Sequence, residues 1–271
     1  MQKVTHSEYI AQKKPLAKQL LAKLNEKYQY ASVLITDNYE KGYRASRSGV
    51  AISATNAFGG KGMIVKVYDG KGYAEYSTNE ITAENLPEIE REIEQQLMNP
   101  ANFIPEGTEE AEYKCISDEP CTLCEATDYE IHPREVGDEK LIETVTALRE
   151  KAVKADERIL DAITGFNYQE YHKLFLSANR ELEQSVLYST GIMALVAAKG
   201  EEIKQSFRGF SNLGGAELLD KMESAIPQCV KTVTDLLNAE PMEPGTYECI
   251  CTPEVTGMIV HEAFGHGVEM D

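Results

Sequence analysis

The chain has 271 residues, and its 27 Lys and Arg against 45 Asp and Glu give a formal net charge of −18. Such a charge repels phosphate backbones, so direct nucleic-acid binding lacks its main source of affinity. The longest apolar run, Gly191 to Ala198, is far short of the ~20 residues that cross a bilayer, and the lysine-bearing start shows no apolar stretch of a secretory signal, so a cytoplasmic protein is the expectation.

In chain order, Ser7 to Tyr28 places Ile10, Leu16, Leu20, Leu21 and Leu24 at helical intervals among lysines and reads as an amphipathic helix. Ala31 to Thr36 reads as a short strand, Asp37-Asn38 as a turn, and Tyr39 to Thr55 as a polar strand pair. Gly59-Gly60 breaks the pattern. Gly62 to Tyr68 is a strand, turned by Asp69 to Gly72 into Tyr73 to Thr78. Thr82 is an N-cap for a helix reaching about Met98. Residues 1–98 thus read as an amino-terminal α+β domain.

Residues 99–138 are acidic, poor in periodicity and read as a linker. They hold Cys115, Cys121, Cys124 and His132, which on paper compose a three-cysteine, one-histidine zinc set; free thiols in an acidic loop are the competing reading. In a chain of this size without a signal, the six cysteines do not suggest a disulfide framework.

Residues 139–271 read as a second α+β region. A helix from Glu139 to about Ala162 precedes a meander: Tyr168 to Ser177, Leu182 to Ser189, Gly191 to Ala198 and Ile203 to Gly209. His172 on such a strand reads as a cross-strand packing residue. Ala216 to Ala239 is helical, with Pro227 expected to kink or divide it and Cys229 as a core thiol. Tyr247 to Cys251 reads as a strand. Thr252-Pro253-Glu254 is a helix start, with a hydroxyl N-cap, proline at the first position and an acid at the positive end of the dipole. The expected class is α+β, with mixed or antiparallel sheets, helices on one face and two subdomains.

That last helix runs into His261-Glu-Ala-Phe-Gly-His266-Gly-Val-Glu269. At ~100° per residue, a spacing of five separates the two imidazoles by about 140°, so a straight helix cannot aim both at one metal. Two geometries are open. An i→i+5 widening or a break, for which Gly265 is well placed, brings His266 under His261 with Glu262 beside them. Alternatively the helix stays regular and Glu262, His266 and Glu269 share a face. A solvated helix end remains the plain reading of such residues.

The string HEAFGHGVE resembles the H-E-x-x-x-H motif of the TldD/PmbA metalloprotease family, known as modulators of DNA gyrase. The surrounding strand, cap and helix, PGTYECICTPEVTGMIVHEAFGHGVE, extend the resemblance. So does the amino-terminal half, where Gly62, Val65, Lys66, Val67, Asp69, Gly70, Gly72, Tyr73, Ala74, Ser77, Thr78 and Asn79 are similar to the family's GxxVRVxxDGxxGFASTN stretch, with lysine in place of arginine.

The resemblance implies His261 and His266 as zinc ligands and Glu262 as the general base that activates a water against a peptide carbonyl. It implies Glu269 and Asp271 as acids that orient a histidine. The family draws a third ligand from a cysteine of a carboxy-terminal domain, and nothing of that domain is present here. Cys251 cannot replace it locally, because ten helical residues span ~15 Å. The expectation is therefore an amino-terminal part of a metallopeptidase of unstructured peptides that, as this chain, binds zinc weakly and lacks activity. The family's paired assemblies imply a homo- or heterodimer with a related subunit, and a non-catalytic dimerisation scaffold is the competing function.

Overall fold

A computed structural model of the chain describes residues 1–54, 60–98 and 113–269. It divides into two compact units, Met1–Leu237 and Asn238–Asp271.

In the first unit, β1 (Gln2–Lys3) leads into α1 (Glu8–Lys27), β2 (Tyr30–Ser46), β3 (Gly49–Ala54), β4 (Gly60–Tyr68), β5 (Tyr73–Thr78) and α2 (Leu86–Met98). Then come β6 (Cys121–Ala126), β7 (Asp128–Tyr129), α3 (Pro133–Val136), α4 (Asp138–Lys154), β8 (Ile159–Ser177), β9 (Arg180–Lys199), β10 (Glu202–Leu213) and α5 (Leu218–Leu236). Eight strands form one sheet in the order β10-β9-β8-β2-β4-β5, with β3 also on β2 and β6 also on β9; β1 and β7 form a separate pair. Only β6 pairs in parallel within the eight. The α+β class and the mostly antiparallel sheet are as the sequence implies.

The helices cover one face. Along β8 the even positions from Ala162 to Leu176 are buried, while their odd neighbours, Gly165 apart, are at least partly accessible. One cluster packs α4 and α5 over Phe166, Tyr168, Met193 and Leu195. The other packs α1 and α2 over Val33, Ile35, Val65 and Leu174. Ser7 caps α1, its Oγ accepting from the Ile10 N–H at 3.2 Å, and Ile10, Ala17, Leu20, Leu21 and Leu24 form the buried stripe.

Several elements differ from their sequence reading. β2 runs straight through Asp37-Asn38, because Asp37 is registered against Lys61 on one side and His172 on the other; ladders on both edges override a local turn preference. β9 is one strand where two are expected. Its Gly191 lies under α5, where a Cβ would collide with the side chain of Met222. The expected helix to Ala162 ends at Lys154, and Ile159 already belongs to β8. Pro227 does not divide α5: it is exposed, while Met222, Ile226, Cys229 and Val233 hold the helix to the sheet on either side of it. Helix α2 starts at Leu86, after Thr82 and Asn85 have exchanged side-chain to backbone hydrogen bonds of 3.0 and 3.3 Å.

The segment expected as a linker contributes structure. Residues 99–112 lie outside the described residues, but β6 pairs with Arg180–Ser185 of β9, and α3 leads directly into α4. β2 from one side of it pairs with β8 from the other over Ser32–Ala45. One sheet therefore carries both expected domains, and the division into units falls after Leu237 instead. Tyr247–Cys251 forms no strand, since a strand needs a paired neighbour and this stretch has none.

Asp138, at the start of α4, receives Lys41 Nζ at 2.5 Å and the Tyr43 hydroxyl at 2.7 Å, tying the helix to β2. The Lys41 ammonium, then the Tyr43 hydroxyl, hold its carboxyl below the usual range. A depressed carboxyl stabilises the fold above its unfolded value, about pH 4, and loses that contribution as pH falls through its lowered folded value. Asp138→Asn is expected to be less stable than the parent at neutral pH, with the difference closing in acid, as denaturant unfolding at several pH values would read. Phe166→Ala, at a fully buried position, is expected to cost about 3–5 kcal/mol. Phe207→Ala, where the side chain is 80% exposed, should stay within about 0.5 kcal/mol.

Candidate metal centre

In the second unit, α6 (Pro253–Val260) begins with Thr252 at the N-cap, Pro253 at the first position and Glu254 in the first turn. The Thr252 side chain makes no capping bond, so proline and the acid carry the start signal. His261–Gly265 then form a π turn, in which the His266 N–H reaches the His261 carbonyl, an i→i+5 bond. A 3₁₀ turn, His266–Val268, follows, and Glu269 leaves it in an extended conformation.

The widening answers the spacing problem. One extra residue in the turn returns His266 beneath His261, with ring centroids 4.7 Å apart and planes at 78°. The ligand atoms of His261, Glu262 and His266 all lie within 4.8 Å of one another. Gly265 is not what permits this. Its backbone angles are ordinary helical ones, and a Cβ there would meet only His261 Nδ1 at 3.8 Å.

Features of both sequence geometries coexist. Glu262 Oε2 lies 3.7 Å from His266 Nε2, and Glu269 Oε2 lies 3.0 Å from His266 Nδ1. With Nδ1–H donating to Glu269, the Nε2 lone pair is free for a metal. Imidazole nitrogens and a carboxylate are a donor set that suits zinc. The three residues are exposed, His266 at 50% and Glu262 at 64% of the side chain. None of the residues of α6 is buried, although Val255, Met258, Ile259 and Val260 are apolar. Asp271 lies outside the described residues.

The other candidates go elsewhere. Cys121 and Cys124, three apart on β6, are free thiols that project to opposite faces. Cys115, Cys121, Cys124 and His132 form no metal-sized group among the described residues. His132 instead caps α3, its Nδ1 accepting from the Arg134 N–H at 3.2 Å. His172 is a buried cross-strand residue, 2.9 Å from Ser185 Oγ on β9. Cys229 is a core thiol whose pKa burial raises. His6, Arg134 and Glu170 belong to no local motif: strand register places Glu170, and contacts with Ser185 and Glu170 place His6 and Arg134.

No family model matches the chain. It is 32% identical over 95 residues to a metalloprotease of Archaeoglobus fulgidus, a match covering 35% of this chain and 22% of that protein. It is 32% identical over 78 residues to a metalloprotease of Methanothermobacter thermautotrophicus, covering 28% and 17%. The matches thus span about a fifth of these relatives' length. Among solved structures, a protein described as a modulator of DNA gyrase from Bacteroides thetaiotaomicron superposes with a TM-score of 0.68 at 15% identity, over 93% of this chain and 56% of that one. A second, from Thermotoga maritima, gives 0.65 at 14%, over 86% and 50%. TldE from Thermococcus kodakarensis gives 0.59 at 14%, over 81% and 47%. The chain is accordingly a distant homologue of archaeal metalloproteases with the fold of the gyrase-modulator proteins of TldD/PmbA type, matched over part of the length of each.

Proposed function

We propose that the chain is the amino-terminal part of a zinc-dependent metallopeptidase of the TldD/PmbA type that cleaves unstructured peptides in the cytoplasm. The observation that carries this reading is the π turn, which gathers His261, Glu262 and His266 within 4.8 Å. The metalloprotease relatives support it. His261 and His266 would hold the metal through imidazole nitrogens. When bound, zinc acts as a Lewis acid on the scissile carbonyl. Glu262 takes a proton from the attacking water and returns it to the leaving amine. Glu269 fixes the tautomer and orientation of His266 through the Nδ1 bond.

A catalytic zinc site takes three protein ligands and keeps a fourth position open. Among the described residues the group supplies two histidines and Glu262, and Glu262 is reserved for the proton. We therefore expect weak zinc binding and no peptidase activity from this chain alone, with the third ligand coming from the part of the relatives that it does not span. A non-catalytic dimerisation scaffold, pairing with a like or related subunit, is the second reading; the exposed apolar residues of α6 favour it.

Zinc calorimetry on the chain should show weak binding that His261→Ala abolishes and Glu269→Gln weakens about tenfold or more. Gly265→Ala should change affinity less than about threefold, given the room at that position. Tight stoichiometric binding by the chain alone would refute the missing ligand. In the longer protein with zinc, Glu262→Gln should lower kcat by about 10²-fold or more; equal turnover of parent and variant would favour the scaffold, whose dimerisation light scattering would measure.

A further inference from the structure

Between the two hydrophobic clusters, the covered face of the sheet turns polar. Registered residues on four neighbouring strands form a row: Lys61 on β4, Asp37 on β2, His172 on β8 and Ser185 on β9. The next row brings Tyr39 on β2 beside Glu170 on β8. Glu170, His172 and Ser185 are 6%, 8% and 1% exposed. On either side the same face is apolar, with Val33, Ile35 and Leu174 towards α1 and Tyr43, Phe166 and Tyr168 towards α4.

Burying an acid and a histidine in the middle of an apolar face is costly unless partners satisfy them, and the partners here are incomplete. His6 Nδ1 and His172 Nδ1 each lie 2.9 Å from Ser185 Oγ. Ser7 Oγ donates to Asp37 Oδ2 at 2.6 Å. Arg134 Nε approaches Glu170 Oε1 at 2.6 Å, yet that oxygen has no hydrogen bond of acceptable direction. The Tyr9 hydroxyl, also buried, has no partner. Lys61 Nζ stands 3.7 Å from Asp37 Oδ1, beyond hydrogen-bond length, over the Tyr9 ring at 5.0 Å. Burial, then the Asp37 charge, raises the Tyr9 pKa, which keeps the hydroxyl a donor.

Tyr9, Asp37, Lys61, Arg134, Glu170 and His172 line a cavity of about 450 Å³ between the start of α1 and α3, within the size range of small-molecule sites. Its donors and acceptors are of two kinds. Lys61 and Arg134 present positive charge and N–H groups to an anion, and Tyr9 lines the same cavity with a buried, neutral hydroxyl. Glu170 and Asp37, with Glu8 on the same lining, present carboxylate oxygens to a cation. We propose that this cavity binds a small zwitterion, a free α-amino acid or a short peptide held by its ends, with the carboxylate on Lys61, Arg134 and Tyr9 and the ammonium on Glu170 and Asp37. The site lies wholly in the first unit and is independent of the metallopeptidase reading.

Calorimetry on the full chain with L-alanine, L-alanyl-L-alanine, their N-acetyl and C-amide forms, and inorganic phosphate tests the assignment. At least one unblocked probe should bind one to one, and blocking either end should weaken it at least tenfold. Lys61→Met, which keeps the stem and changes an exposed position, and Glu170→Gln should each weaken it at least tenfold, with circular dichroism confirming the fold. Tyr9→Phe should weaken it about threefold or more. Three results would overturn the proposal: no binding of either unblocked probe at millimolar concentration; blocked forms binding as well as free ones; or phosphate binding as tightly as alanine with Glu170→Gln without effect, which marks an anion site. A purely structural hydroxyl would show itself if Tyr9→Phe raised the melting temperature while binding stayed unchanged.

Discussion

The first unit depends on one constraint: three strands of 17, 19 and 20 residues, β2, β8 and β9, must stay in register from Ala162 of β8 onward, past an irregularity between Ile159 and Asp161. Because side chains alternate at period two, a one-residue slip would send every buried residue to the other face. Both hydrophobic clusters hang on that register. Leu174 faces one pair of helices and Phe166 the other, eight residues apart on the same strand. The register is reinforced at the ends, where Asp138 joins α4 to Lys41 and Tyr43 of β2, and Arg149 reaches Asp161 at 2.5 Å and the Ala162 carbonyl at 2.9 Å at the start of β8.

Strands this long on a face covered by two separate helix pairs leave a middle that neither pair covers. There the sequence keeps the alternation but changes the chemistry, placing Asp37, His172 and Ser185 where apolar residues would otherwise stand. Their mutual register makes the polar row as specific as the apolar ones, since displacing one strand would bury an acid beside a hydrocarbon neighbour. The same residues explain why β2 does not turn at Asp37-Asn38: Asp37 is held by Ser7 from the helix cap and flanked by Lys61 and His172 from the sheet.

How much was legible follows the range of the interactions. α1, the Asp69 hairpin and the start of α6 are specified within a few residues, by Ser7, by the DG turn and by Pro253-Glu254, and are legible in the sequence. Asp69 Oδ1 accepts from the Lys71 and Gly72 N–H groups at 2.8 and 2.9 Å, a bond set visible in the local sequence. The long strands were read as fragments, because local turn residues in β2 and Gly191 in β9 signal breaks that distant ladders overrule. Residues 99–138 read as a linker because the partners of their described strands, β9 for β6 and Gln2–Lys3 for β7, are remote in sequence. The polar row was invisible for the same reason: its members are separated by up to 148 residues, from Asp37 to Ser185, and only pairing brings them together.

At the carboxy-terminal motif the logic reverses, because an extremely local feature fixes the geometry. Two histidines five apart cannot converge on a regular helix, and the backbone resolves this by one i→i+5 turn, His261 to His266. π turns of this sort are uncommon and concentrate where a side chain must be re-aimed. The adjustment does more than align two rings. It leaves Glu262 beside His266 Nε2, at 3.7 Å, while the following 3₁₀ turn brings Glu269 to Nδ1 at 3.0 Å. Each nitrogen of His266 thus faces a different carboxylate, Glu269 at Nδ1 and Glu262 at Nε2. The Glu269 contact is a separate, equally local one, three residues beyond His266 and made by the 3₁₀ turn. The spacing of five, which first looks like a defect in a metal motif, is met by one π turn that brings His261, Glu262 and His266 together, and the next turn adds Glu269.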